Sequence, residues 1–285
     1  AMITDLRYKG SSLAKKIFIT VCLAGMSLYV LLILYPLINM VLSSFKTNRA
    51  ILTTPFSLPE TFSFATYKTV WIDKGFSRYF ANSLLVTTIS MALVLLFGSM
   101  ASYGISRYTY RLNTLVYMLF LSGIMLPLKA AIIPLFLLIK TLGLINKPLS
   151  VILIFLAMAL PSTVFILAGF MKGIPLELEY AAKIDGCHDF AIYRLVVMPM
   201  VAPAIALVTI YNAVPIWNDF FFPLVFLQSD KVKTLPVGLS TFFGQHSTNW
   251  SLLFTGLSIA ILPMLVLYLF MSKYFIKGMT AGAVK

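Results

Sequence analysis

The chain has 285 residues, of which 60% are hydrophobic and only 11% charged, against about a quarter charged in an ordinary soluble domain. Its formal net charge is +13, yet no basic run interleaves with aromatic residues, so nucleic acid is set aside as a partner. The apolar residues come in blocks long enough to cross a bilayer, and Lys and Arg gather at the block ends, where they anchor to headgroups and set topology. These features describe an all-α, polytopic membrane protein in contact with lipid. Cys22 lies in the first apolar block and Cys187 in a charged loop, a placement that opposes a disulfide. His188 and His246 fall in different loops without metal-ligand spacing.

In chain order, residues 1–16 form a basic segment with Arg7, Lys9, Lys15 and Lys16, leading into a first predicted span at 17–43. Its apolar block is too long for a cleavable signal. Residues 44–81 are polar and aromatic, suited to a short helix or two at the membrane interface. Further spans are predicted at 82–105, 112–139, 149–171, 195–216 and 251–271, giving six, all within one transmembrane domain, residues 17–285. Pro127 and Pro134 break the third around Lys129, and a Lys in that bent region is expected to snorkel. Trp217-Asn218-Asp219-Phe220 after the fifth span predicts a bent or partly re-entrant end. With both termini cytoplasmic, the inner segments carry 12 Lys and Arg and the outer loops 9, a small excess in the sense of the positive-inside rule.

The segment at 174–194 is the polar interruption of the second half. Pro175 suits a first helical turn, Glu177 and Glu179 complement the positive end of the dipole, and Glu179 and Lys183 are spaced i,i+4. Gly186 stands where a left-handed residue would stop the helix, and Asp189 can cap the next one. Leu176, Tyr180 and Lys183 form a stripe that a partner's groove could take, although an amphipathic helix resting on the membrane would show the same pattern.

The run Glu179-Tyr180-Ala181-Ala182-Lys183-Ile184-Asp185-Gly186, followed by Pro199 and Pro203, resembles the "EAA" signature of permease subunits in bacterial ABC importers. The likeness extends upstream through Leu126-Pro127, Ile133-Pro134-Leu135-Phe136, Leu142-Gly143-Leu144-Ile145-Asn146 and Gly173-Ile174-Pro175. Downstream it takes in Trp217 to Phe220, Thr234-Leu235-Pro236-Val237 and Gly278 to Lys285. It is similar to the carbohydrate branch, and most to the second permease of maltose-type importers; Tyr180 and Cys187 depart from the usual pattern. The resemblance implies the type I importer fold with a cytoplasmic coupling helix, in the bacterial cytoplasmic membrane. Glu179, Ala181, Ala182, Asp185 and Gly186 would form the joint with a cytoplasmic ATPase subunit, Glu179 and Asp185 making polar contacts there. It also implies a second homologous permease, two ATPase subunits and an extracytoplasmic sugar-binding protein as partners. Thr241, Phe243, Gly244 and Gln245 in the loop at 228–249 would face the binding protein, and the basic tail ending at Lys285 the ATPase.

No Gly-x-x-x-x-Gly-Lys-Ser/Thr occurs, so ATP and magnesium are assigned to the partner subunits, with no cofactor and no catalytic role for this chain. A neutral sugar calls for hydrogen-bonding and aromatic side chains at membrane depth: Tyr211, Asn212, Trp217 and Asn218 are the candidates. Trp217 is equally suited to anchor at the interface. Ser122, Ser162, Thr163 and Ser258 fit better as joints between helices. An ion-coupled transporter would need acidic or His carriers within its spans, and an intramembrane enzyme paired catalytic groups; neither occurs, Asp219 alone standing near a span end.

Overall fold

The computed structural model describes residues 13–243 and 248–283. Arg7, Lys9, Gly244, Gln245 and Lys285, given roles above, lie outside the described residues. The described chain is helical: α1 (Leu13–Ser43), α2 (Asn48–Thr53), α3 (Ala65–Lys68), α4 (Phe76–Arg107), α5 (Asn113–Met125), α6 (Ile132–Thr141), α7 (Pro148–Lys172), α8 (Leu176–Ile184), α9 (Asp189–Ile192), α10 (Met198–Met200), α11 (Ala202–Asn218), α12 (Phe221–Phe226), α13 (Leu235–Ser240) and α14 (Trp250–Ala283). Single π-turns, Thr69–Asp73 and Tyr193–Val197, extend α3 and join α9 to α10.

Four of these helices are long and apolar enough to cross a membrane, and the count is five if the bent pair around Val201 is one span. The second and fifth predicted spans begin elsewhere than expected, and the third is divided. The third, expected at 112–139 with a break at its prolines, is α5 and α6, separated at residues 126–131. Pro127 disfavours the helical region for Leu126 (ψ 121°), which leaves α5 in an extended step. The fifth begins earlier than expected, at Asp189, and bends by 75° between Met200 and Ala202. Pro199 and Pro203 flank that bend, each removing a backbone donor from the ladder. The second also starts earlier, at Phe76, because Gly75 holds a left-handed φ of 65° and ends the preceding turn there.

Helices α4 and α7 pack along each other at the centre, with α5 against α7 and α11 against both. Helix α14 lies beyond α11 and carries α1 on its outer side. Lipid tails are as apolar as Leu, so helices in a bilayer associate through close approach and interhelical hydrogen bonds. The α4–α7 seam uses both. A Cβ on Gly98 would come within 2.4 Å of Thr163 Cγ2, and Ser102 Oγ donates to the Gly98 carbonyl at 2.6 Å and the Val164 carbonyl at 3.4 Å.

The two ends of the bundle differ. At one end, Asn82 Nδ2 donates to the carbonyls of Lys231 and Lys233, and Asn146 Oδ1 accepts from the backbone of Gln228 and Ser229. The predicted polar loop at 228–249 is therefore clamped, and it contains α13, whose Leu235 and Val237 are buried. At this end Thr255 Oγ1 also donates to the Ser44 carbonyl, so the end of α1 meets the start of α14. The opposite end carries the α4–α5 turn, α8 and α9.

Candidate functional site

Helix α8 is built as the sequence suggests at its termini and otherwise along its exposed face. Pro175 is the N-cap, Glu177 and Glu179 stand in the first turn and Lys183 in the last. It ends in a Schellman motif: Gly186, at φ 84°, donates to the Lys183 carbonyl and Cys187 to the Ala182 carbonyl. Ala182 and Cys187, one on each side of the turn, pack against the apolar cluster that contains Leu167, Ile192 and Val197.

Glu179 does not point outward, and this corrects the expected contact with a partner. It is 6% exposed, and its carboxylate lies 2.5 Å from Arg107 Nε at the end of α4. That approach is a charge contact rather than an aligned hydrogen bond. Tyr103 Oη donates to Glu179 at 3.4 Å, and Arg107 also reaches the Ile174 carbonyl at 3.4 Å. A carboxylate on a helix whose other side chains are solvated finds its partner on the neighbouring span, because there the pair is shielded from water.

Lys183 correspondingly pairs with Asp189 (3.1 Å) and not with Glu179. The cap of α9 is His188, whose Nδ1 accepts from the Ala191 N–H at 3.0 Å, and Asp189 is the first helical residue. Asp189 also accepts from Tyr108 Oη at 3.1 Å. Hydrogen bonds from Lys183 and Tyr108 hold the Asp189 carboxyl below its ordinary range, and Asp189 in turn raises the Lys183 ammonium. Burial first, then the bond to Asp189, pushes the Tyr108 phenol up.

With Glu179 turned in, α8 presents Leu176, Leu178, Tyr180, Ala181, Lys183 and Ile184 to the exterior; Ile184 is 87% exposed. Asp185 and Gly186 are exposed beside them. The predicted stripe of Leu176, Tyr180 and Lys183 belongs to this face.

A cavity of about 620 Å³ opens between the α5–α6 break, α7 and α11. Tyr211 and Asn212, both expected at a path, line it together with Met158, Ser162, Lys129 and Asp219. Asn212 is 6% exposed and its amide is occupied: it donates to Thr163 Oγ1 and the Val208 carbonyl and accepts from Ser162 Oγ. It therefore joins α7 to α11 while forming cavity wall, and Ser162 and Thr163 act as the expected joints. Trp217 and Asn218 are corrections. Trp217 is 2% exposed, neither sugar platform nor interface anchor; its Nε1 donates to the Ala260 carbonyl on α14 at 3.0 Å and its ring meets Phe80 edge-on. Asn218 is exposed, off the cavity, and donates back to Val214. Asp219 turns the chain as predicted, accepting from the Phe222 N–H at the start of α12. Lys129 reaches Asp219 at 3.9 Å.

Residues 94–281 match the model of the family described as binding-protein-dependent transport system inner membrane component. This chain belongs to that family. It is 35% identical over 228 residues to the melibiose/raffinose/stachyose import permease protein MelC of Bacillus subtilis, covering 80% of this chain and 83% of that one. It is also 35% identical over 259 residues to the multiple sugar-binding transport system permease protein MsmG of Streptococcus mutans, covering 90% and 93%. Among solved structures it is similar to a chain of a bacterial ABC transporter involved in the import of the acidic polysaccharide alginate. That match has a TM-score of 0.80 at 24% identity and covers 94% of this chain and 99% of that one.

As an importer permease of this family, the protein is a multi-pass membrane component with the type I importer fold, and it works with an ATPase and a solute-binding protein. Arg107, Tyr103 and Tyr108 are the residues of the permease that sequence reasoning missed. The only signal for them was a cluster of Tyr and Arg at a span end, which reads equally as headgroup anchoring. At the opposite end, Thr241 and Phe243 are exposed, and Phe243 forms a bridge with Thr248 across the described edges of the loop tip.

Proposed function

We propose that this chain is a permease subunit of an ATP-driven importer for sugars, oligosaccharides by preference, and that α8 with the Gly186 turn is its joint to the ATPase. The single observation that carries the coupling role is the division of α8 into two sides. Glu179 is buried against Arg107, while Leu176, Tyr180 and Ile184 are exposed, without apolar cover among the described residues. Exposed apolar side chains at helical spacing fit a partner's groove. The buried side is a rigid strut that passes groove movement to α4. Movement of the groove then swings the bundle between two rigid-body states.

The sugar class rests on the relatives' names and on a cavity walled by hydroxyl and amide groups among apolar ones. Tyr211 and Asn212 form that part of the path. The cavity is lined by the α5–α6 break, α7 and α11 and is open to the outside of this chain, which suits closure by a second, homologous permease. Two ATPase subunits would serve the pair. With α5–α6 taken as one broken span and α9–α11 as one bent span, the chain crosses the membrane six times with both termini cytoplasmic. Thr241, Phe243, Gly244 and Gln245 then face the sugar-binding protein, and the chain itself holds no cofactor.

The test is ATP hydrolysis by the assembled importer in proteoliposomes, with and without sugar-loaded binding protein, for wild type, Ile184→Asp and Gly186→Pro. Stimulation by the loaded binding protein in the wild type, lost in both variants while the permease stays in the membrane, supports the reading. Stimulation retained in both variants removes the joint from α8.

A further inference from the structure

Two charges of opposite sign, Lys129 and Asp219, stand in the wall of the cavity, and its other lining side chains are uncharged. Each occupies a chain break: Lys129 lies between α5 and α6, and Asp219 between α11 and α12. They differ in freedom. Asp219 is held by the bond from the Phe222 N–H at 2.9 Å and its side chain is 11% exposed, whereas that of Lys129 is 62% exposed. The ammonium is 3.9 Å from the carboxylate and 5.7 Å from the centroid of the Phe221 ring. Deeper along α11 come Pro215 and Ile216, and then Asn212, whose polar atoms are already spent on Ser162, Thr163 and Val208.

A charge beside low-dielectric walls projects its field into the cavity far more strongly than one in open water. Here one fixed anion and one tethered cation nearly cancel. A neutral polyhydroxylated solute meets donors and acceptors with no net field, while an ion of either sign meets one attractive and one repulsive group.

We infer that Lys129 and Asp219 form a charge filter at the mouth of this cavity, matched to uncharged solutes, and that Asp219 is the group that prevents Lys129 from recruiting anions. The inference rests on the reading of the cavity as part of the transport path. It assigns specificity to two side chains that the coupling mechanism does not use.

The labelling part of the test needs no knowledge of the natural solute. Met158, a cavity-lining residue, is replaced by Cys in a Cys22→Ser, Cys187→Ser background of the assembled importer in proteoliposomes. Its labelling rate is measured with an anionic methanethiosulfonate (the ethylsulfonate), a cationic one (the ethyltrimethylammonium) and a neutral methyl reagent. The neutral rate serves as the check on folding, and Asn in place of Asp219 keeps an oxygen for the Phe222 N–H. Asp219→Asn is expected to raise the anionic-to-cationic rate ratio by about tenfold, Lys129→Gln to lower it by a similar factor, and the double variant to return it to within about twofold of the starting value. A ratio that stays within about twofold in both single variants overturns the filter. Import is read on the same vesicles. If the ratio moves as expected but labelling Met158→Cys with the bulky cationic reagent leaves import unchanged, the filter stands and the assignment of the cavity to the path falls.

Discussion

Replacing Glu179 by Gln keeps the shape of the side chain and its acceptor for Tyr103, and removes only the charge. Arg107 is then left as a cation whose side chain is 6% exposed, with the Ile174 carbonyl at 3.4 Å as its remaining contact. Removing one partner of a buried pair costs about 3–5 kcal/mol, because the survivor stays desolvated and uncompensated. The pair also ties α8 to α4, so the cost is expected as local detachment of α8 and not as global unfolding. At about 1.4 kcal/mol per factor of ten, 3 kcal/mol corresponds to roughly 100-fold less protection of the α8 amides. Hydrogen exchange of peptides covering residues 176–187 in the reconstituted permease reads this directly. Arg107→Met combined with Glu179→Leu, which replaces the pair by apolar groups of similar size, is expected to recover most of the protection. Exchange in Glu179→Gln within about threefold of wild type would refute the strut. So would a double variant no better protected than the single one.

Ile184→Asp is expected to leave the melting temperature of the permease alone nearly unchanged, since exposed substitutions fall within about 0.5 kcal/mol, while copurification of the ATPase subunit is lost. Gly98→Leu forces a side chain into Thr163, which a Cβ would already approach to 2.4 Å. A destabilisation of at least about 1–3 kcal/mol is expected as a lowered thermal midpoint in detergent, partly relieved by Thr163→Ala. The Lys183–Asp189 contact has two pH limits. The lowered Asp189 contributes stability above its ordinary value of 3.8, lost as pH falls through the folded value. The raised Lys183 contributes below its ordinary value of 10.5, lost as pH rises through the folded value. Between these limits the contribution of this pair to α8–α9 exchange protection should not change with pH, and Asp189→Asn should remove the acid-side loss specific to it.

Much of the end that carries α8 was legible in order of residues because its determinants are local. Pro175, two first-turn glutamates and Gly186 act within one or two turns of their own position, so α8 and its stop could be placed before any contact was known. The same locality misled where charge was concerned. Glu179 and Lys183 have ideal i,i+4 spacing, yet an exposed helical pair contributes only about 0.2–0.5 kcal/mol; Glu179 takes the shielded Arg107 instead, and Lys183 is left to the exposed Asp189. Similarly, Asp189 and His188 are both adjacent to the start of α9, and only backbone geometry selects His188 as the cap. Trp217 read as a platform or an anchor because its type suits both; packing against Phe80 and the Ala260 carbonyl made it core.

By itself, the sequence determines that this chain lives in a membrane, roughly where its apolar segments lie, that a glycine-stopped helix interrupts them, and that it resembles importer permeases. Hydrocarbon thickness and backbone sterics impose those features on any chain, one segment at a time. Tertiary structure alone decides that the break at Pro127 faces α7 and α11 across a cavity, that Asn212 faces Ser162 and Thr163, and that Lys129 stands opposite Asp219. Each of these joins residues on different helices. Which side chains meet there depends on helix rotation, bend angle and crossing, and these are set by the sum of many packing contacts across the bundle and not by any local pattern.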